Sequence, residues 1–247
     1  MRRCAVDSPT WSRVVAAEPV LQCLNHQELI ELRRLATLLL ATKRFVTPGG
    51  ESITTYQRTR IAAAAALPVL ALGRRWHRDW QTIILYPDTF AVAYADTDEA
   101  GVVHEGIEPR AGEAWPGGPI ILSWTDIIDS GGADGFHVVI HEIAHQLDGL
   151  DGVTNGRPPL HADMDAGQWS QAFSGCFDDL QARYAAGEPT ALDPYATESP
   201  AECFAVTSEA FFLTPFVLAG AYPGVYEQLR LFYRQDPAVR RSNRGDA

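Results

Sequence analysis

Positive charge is scarce in this sequence. The 247 residues include 20 lysines and arginines against 31 aspartates and glutamates, a formal net charge of −11, and Lys43 is the only lysine. A protein of this charge repels phosphates, so the composition argues against nonspecific nucleic-acid binding. We therefore expect no direct nucleic-acid partner.

Cysteine and long apolar runs are also scarce. The four cysteines are Cys4, Cys23, Cys176 and Cys203, and no two of them form the C-x-x-C spacing of a cysteine zinc ribbon. No apolar run reaches the roughly 18 residues of a membrane span, and the N terminus carries no apolar secretion-signal segment. The sequence therefore predicts a cytoplasmic protein with free thiols and no membrane contact.

The composition that remains, 46% hydrophobic and 21% charged, is typical of a globular protein. Apolar residues at helical spacing predict helices at 26–43, 55–72, 168–186, 200–213 and 222–233. Runs rich in isoleucine, valine and tyrosine predict strands at 82–86, 90–94 and 117–124, with a loop over 95–114. This pattern predicts an α+β fold that is mainly helical.

We divide the chain into an N-terminal extension at 1–23, a single domain at 24–235 and an Arg-rich tail at 236–247. The strand predicted at 117–124 comes shortly before the main motif and has two interpretations. It is either a sheet edge to which an extended peptide adds, or a strand inside the sheet.

The main motif is H-E-x-x-H, at 141–145, within a mostly apolar run. A helix turns by about 100° per residue, so His141 and His145 lie on one face, where two imidazoles can bind one metal ion. Glu142 can then reach a metal-bound water as general base. Asp134 is a candidate N-cap for this helix, and Gly149 a stop signal. The alternative is an amphipathic helix whose polar face meets solvent.

A catalytic zinc needs a third protein ligand, and five residues compete for this role. His137 is one turn before His141, but three successive turns of one helix span about 12 Å and cannot converge on one ion. Asp151 has the spacing of an extended H-E-x-x-H motif without its glycine. His161 has no supporting pattern, which leaves Glu202 and Glu209 on the helix predicted at 200–213.

Glu202 and Glu209 are seven residues apart and face the same side of that helix, about 10 Å apart, so only one can be the ligand. Ser199, Pro200 and Glu202 also form a capping-box pattern, which is the structural alternative for Glu202. Glu209 is the candidate for accepting a hydrogen bond from a metal-bound histidine.

The segment H-E-I-A-H-Q-L-D at 141–148, followed by D-P-Y-A-T-E-S-P-A-E-C-F-A-V at 193–206, resembles the Mlc titration factor A family of zinc peptidases. The catalytic centre is also similar to that of anthrax lethal factor. The resemblance covers most of residues 25–235. It implies a mainly helical, gluzincin-type zincin fold with a small mixed or antiparallel sheet before the active-site helix.

The resemblance also assigns roles to residues. It implies one zinc per chain held by His141, His145 and Glu202, with Glu142 and Tyr195 as catalytic residues. It implies aminopeptidase-like hydrolysis of small peptide substrates, and in enterobacterial members binding to the glucose repressor Mlc. Our expectation is therefore a zinc metallopeptidase, with a regulatory protein that sequesters a transcription factor as the alternative.

Overall fold

The structure is a computed structural model that describes residues 6–88, 90–97, 103–110, 112–114, 118–132 and 135–245. The α-helices are α1 (Ser8–Ala17), α2 (Pro19–Gln22), α3 (His26–Thr42), α4 (Thr55–Ala66), α5 (Trp124–Asp129), α6 (Val138–Asp148), α7 (Ala166–Ala185), α8 (Pro200–Leu213), α9 (Pro215–Ala221), α10 (Pro223–Tyr233) and α11 (Pro237–Gly245). The strands are β1 (Arg44–Val46), β2 (Thr82–Tyr86), β3 (Phe90–Thr97), β4 (Val103–Arg110), β5 (Gly112–Ala114) and β6 (Ile120–Ser123).

The sheet is mixed, which confirms the predicted α+β fold. Its order is β1-β2-β6-β5, with β1, β2 and β6 parallel and β5 antiparallel to β6, while β3 and β4 form a separate antiparallel pair. Because side chains alternate across a strand, Ile83 and Leu85 of β2 enter the core, whereas their neighbours are only partly buried.

Local sequence explains where the first long helices begin. Asn25 and Glu28 form a complete capping box at the start of α3, and Thr54 and Gln57 form another at the start of α4. The helix predicted at 55–72 is too long, because α4 ends at Ala66. Pro68 has no backbone N–H for a continuing helix, and the chain turns there instead.

The predicted loop in the sheet region is wrong, and the structure decides between the two interpretations of the strand predicted at 117–124. The loop predicted at 95–114 contains the end of β3 together with β4 and β5, because acidic and glycine residues hide the alternation that marks a strand. The strand predicted at 117–124 is not a sheet edge: β6 lies between β2 and β5, so its two sides are already paired. A peptide therefore cannot add to β6.

Both ends of the described chain pack onto the core. Trp11, Val14 and Leu21, from α1 and α2, are buried. At the other end, Arg240 of α11 forms an ion pair of 2.7 Å with Glu28 of α3. The residues assigned to an extension and a tail thus join the body of the protein, while the boundaries at 23 and 235 stay predictions.

The centre of the molecule is α6, whose residues are almost all buried. It contacts α4, α5, α8, β5 and β6, so helices and the sheet enclose it from several sides. Within the described residues, no helix has both the length and the apolar character needed to cross a bilayer. The thiols of Cys23, Cys176 and Cys203 are free, as predicted.

Candidate metal centre

The helix that carries the motif starts later than the turn-rich segment suggests. Its first residue is Val138, and His137 precedes it in an extended conformation. The candidate cap Asp134 lies outside the described residues. Gly149 ends the helix as predicted, with its N–H bonded to the carbonyl of His145. The turn before the helix requires Gly135, which has a φ of 85°.

Three side chains from two helices meet at one point. The Nε2 atoms of His141 and His145 lie 3.1 Å apart, and Oε2 of Glu202 lies 3.0 Å from the first and 3.2 Å from the second. These are the three residues whose ligand atoms converge as a candidate metal site within the described part of the chain.

The donor set fits a metal ion. Ligand atoms about 2.0–2.1 Å from a tetrahedral zinc are about 3.3 Å from one another, close to the three distances observed. A carboxylate accepts hydrogen bonds only, and a neutral imidazole can offer one Nε2 lone pair. Three such lone pairs directed at one point are suited to bind one shared cation.

Helix α8 supplies Glu202 through its first turn. Ser199 caps the helix and accepts a hydrogen bond of 3.1 Å from the N–H of Glu202, with Pro200 at the first helical position. The Glu202 carboxylate turns towards His141 and His145, so only half of the capping box forms. Burial acts to raise the pKa of Glu202, but hydrogen bonds to the two histidines lower it strongly.

Glu209 orients the first histidine. One of its carboxylate oxygens lies 2.7 Å from Nδ1 of His141, and the other accepts a hydrogen bond from the backbone N–H of His137. A proton held on Nδ1 directs the Nε2 lone pair of His141 towards Glu202 and His145. Burial opposes a charge on His141, yet Glu209 and Glu202 raise its pKa, so this point in the protein favours positive charge.

Glu142 is a buried acid beside this point. It is 4% exposed, and its Oε2 has no hydrogen-bond partner among the described residues. Burial raises the pKa of Glu142 to about 7, against the opposing effect of His141 and His145. A carboxyl group with a pKa near neutrality is suited to take up and release a proton.

Tyr195 lies at the mouth of the cluster. It belongs to a short 3-10 helix, Pro194–Thr197, that contacts α8, and its backbone N–H bonds to the Asp193 carboxylate at 2.9 Å. Tyr195 is 47% exposed, and its ring centroid is 6.0 Å from that of His141. Tyr195 thus lies next to a candidate ligand and is accessible to solvent.

The other candidates for third ligand lie elsewhere. Asp151 is exposed, and its carboxylate accepts a hydrogen bond from the N–H of Val153. His161 has Nε2 2.8 Å from the carbonyl oxygen of Phe232 and stacks on that ring. His137 is fully buried before α6 and does not reach the cluster.

Sequence reasoning missed the close contact between the segment that follows α6 and the start of α8. The buried carboxylate of Asp148, at the end of α6, accepts a hydrogen bond of 2.8 Å from the N–H of Gly156. Gly156 has a φ of 77°, and a Cβ built there would lie 2.3 Å from the carbonyl oxygen of Pro200 in α8. The Asn155-Gly156 pair is a turn signal that could have indicated this close approach.

Comparison with known proteins agrees with this geometry. The family model described as "Glucose-regulated metallo-peptidase M90" matches residues 1–234. Proteins named Mlc titration factor A from Yersinia pestis (strain Pestoides F) and Yersinia pseudotuberculosis serotype O:1b (strain IP 31758) are each 41% identical over 225 residues, which is 90% of this chain and 83% of theirs. Both the match along the chain and the helical fold around H-E-x-x-H lead to one conclusion. The chain belongs to the Mlc titration factor A family, the M90 metallopeptidases.

Proposed function

We propose that this protein is a zinc-dependent peptidase that acts on small peptides, with an aminopeptidase-like preference. The observation that supports this most is the buried carboxylate of Glu142, whose Oε2 has no partner among the described residues, beside the convergent Nε2 and Oε2 atoms of His141, His145 and Glu202. A purely structural metal site has no use for such a base.

In this proposal His141, His145 and Glu202 hold the metal. Zinc, when bound, would polarise water and the substrate carbonyl and lower the pKa of that water. Glu142 takes a proton from the attacking water and later delivers it to the leaving amine. The Tyr195 hydroxyl donates a hydrogen bond to the oxyanion that develops on the carbonyl. Glu209 keeps the ring of His141 in the orientation that binding needs.

The test is the rate of hydrolysis of a panel of aminoacyl p-nitroanilides by zinc-loaded protein. Glu142→Gln keeps the shape of the side chain but removes the base, so we expect a loss of about 100- to 10,000-fold in kcat with the zinc content unchanged. Asp151→Asn is the matched control, because Asp151 is an exposed acid that lies outside the cluster, and it should retain the wild-type rate. Equal rates for wild type and Glu142→Gln would contradict the proposal.

A second function rests on the names of the relatives. Proteins 41% identical to this chain are called Mlc titration factor A, so we propose binding to an Mlc-like transcription factor as an alternative or additional role. Binding measured by calorimetry with purified Mlc distinguishes the two functions. A regulatory role predicts that wild type and Glu142→Gln bind Mlc with the same affinity. A peptidase role predicts that the two proteins differ in their rate of peptide hydrolysis.

A further inference from the structure

A buried ionic cluster lies next to the start of α6, and the proposed reaction does not use it. Glu18, between α1 and α2, is fully buried, and its Oε1 accepts a hydrogen bond of 2.5 Å from Nε of Arg60 in α4. Its Oε2 lies 3.3 Å from Nε2 of His137, which is also fully buried. We call these three residues the Glu18 cluster.

Gly131, in the sequence segment before α6, lies next to this carboxylate. The N–H of Gly131 bonds to the carbonyl of Phe136 at 2.8 Å. Gly131 has a φ of 90°, and a Cβ there would lie 3.5 Å from Oε2 of Glu18. Glu18 thus contacts the segment that leads directly into the metal-binding helix.

His137 connects the Glu18 cluster to the candidate metal centre. Its backbone N–H donates to one carboxylate oxygen of Glu209, and the other oxygen of Glu209 lies 2.7 Å from Nδ1 of His141. Among the described residues, the ring nitrogens of His137 make no well-aligned hydrogen bond, and Nε2 has a polar contact of 3.3 Å with Oε2 of Glu18.

The charge on Glu18 is maintained in spite of burial. Burial alone would raise its pKa, but His137 and Arg60 together lower it, so the group stays a carboxylate. A buried ion pair is weak evidence for a gain in stability, because apolar residues of the same volume do as well or better. The remaining role for a buried ion pair is to hold a neighbouring group in one orientation.

We infer that Glu18 is a positioning residue for the metal centre: it fixes His137, whose N–H keeps the Glu209 carboxylate directed at His141. This inference rests on the proposed metal site. It makes the N-terminal segment part of the site, although Glu18 touches neither metal nor substrate.

The experiment measures the zinc dissociation constant by competition with a chromogenic chelator. Glu18→Gln keeps the volume of the side chain but removes its charge. We expect zinc to bind about 10-fold more weakly, the lower end of the range for groups that contact a ligand directly, because Glu18 acts through His137 and Glu209. Glu28→Gln is the matched control. It removes the ion pair with Arg240 by the same substitution, and glutamine still serves in the capping box of α3, so its zinc affinity should stay within about twofold of wild type.

Stability is measured in parallel, so that loss of folding is not mistaken for loss of positioning. Circular dichroism of the metal-free proteins gives the folded fraction, and affinities are compared per folded molecule. His137→Gln provides a second variant, which leaves the Glu18–Arg60 pair intact and should weaken zinc binding in the same range. If Glu18→Gln does not fold, His137→Gln decides the question.

The possible failures are distinguishable. If wild-type protein binds no zinc, the proposed function is wrong. If wild type binds zinc and both Glu18→Gln and His137→Gln bind it equally tightly, the metal site stands, and the Glu18 cluster only fastens the N-terminal helices to the body.

Discussion

Two regions of this molecule bury titratable groups, and they do so in opposite ways. In the candidate metal centre, His141, His145 and Glu202 direct their ligand atoms at one shared point. In the second region, which we call the Lys43 cluster, the amine of Lys43 donates hydrogen bonds to the backbone carbonyls of His77 and Trp80 and lies 4.1 Å from the centre of the Trp80 ring.

The amine of Lys43 has its hydrogen-bond acceptors within the protein and needs no added ligand. Burial lowers the pKa of Lys43 to about 8, while Asp79 opposes the shift. The amine contacts two acceptors and an aromatic face, which meets most of what a buried cation requires. This arrangement ties the segment before β2 to the end of α3.

The difference shows how a structural polar cluster and a candidate site can be told apart. Burial and a shifted pKa occur in both regions, so neither is sufficient evidence of function. What separates them is the direction of the lone pairs: in the Lys43 cluster the amine has two carbonyl acceptors of its own, whereas at the candidate metal centre three acceptors share one point. The experiments below test this distinction.

The largest effect is expected for the ligand itself. Glu202→Gln replaces a carboxylate by a neutral amide, and it should weaken zinc binding by more than about 100-fold and lower activity with it. Glu209→Gln should weaken binding by about 10- to 100-fold, because Glu209 acts through His141. Chelator competition on the two variants gives both numbers. A larger loss of zinc affinity in Glu209→Gln than in Glu202→Gln would exchange the roles assigned to the two glutamates.

Tyr195→Phe should lower kcat by about 10- to 1,000-fold and change KM little, because the hydroxyl is needed mainly in the transition state. Zinc content should not change, since Tyr195 is not among the convergent ligands. Steady-state kinetics on the p-nitroanilide panel measure both constants. Wild-type kcat in the variant would mean that Tyr195 is only a solvent-exposed neighbour of His141.

In the Lys43 cluster, Lys43→Met should affect stability alone. The change leaves the carbonyls of His77 and Trp80 without their donor, which should lower the free energy of unfolding by about 1–3 kcal/mol. Urea denaturation measures this loss, and chelator competition should give an unchanged zinc affinity. A large loss of zinc affinity per folded molecule would remove the contrast between the two regions.

The effect that is smallest at neutral pH is that of His77, because it appears only as the pH falls. Burial lowers the pKa of His77 to about 3, and Lys43 adds to this shift. The unfolded chain takes up a proton near pH 6.5 and the folded protein does not, so the free energy of unfolding falls as pH drops from about 6.5 towards 3, by at most about 1.4 kcal/mol per pH unit.

His77→Leu removes this contribution. Urea denaturation of metal-free protein at several pH values below 6.5 should therefore give a flatter pH dependence for the variant than for wild type. Identical slopes would show that His77 does not contribute.

The sequence predicts the parts of this protein that depend on local pattern. The long helices and the end of the motif helix follow from apolar spacing and from Gly149. The strands within 95–114 are not predicted because their acidic and glycine residues are typical of a loop. The first residue of α6 is not predicted correctly, because a sequence segment rich in turn residues does not indicate at which residue the helix begins.

The candidate site likewise contains residues that local sequence predicts and residues that it does not. The spacing of His141, Glu142 and His145 is a helical property and can be read directly. Glu202 cannot be chosen this way, since its capping pattern is local and its contact with His141 crosses 61 positions, so only the family resemblance singled it out. At Gly156 the Asn155-Gly156 pair signals a turn but does not say what packs against it. Glu18 depends on packing between distant segments, and a single sequence carries no pattern for that.

The central claim is that three side chains from α6 and α8 hold one catalytic metal ion. The most direct measurement is elemental analysis of purified protein after loading with zinc and gel filtration, on wild type and on the His141→Ala/His145→Ala double variant. We expect about one zinc per wild-type chain and almost none in the variant, because Glu202 alone cannot retain the ion. Stoichiometric zinc in the double variant, or none in wild type, would contradict the account.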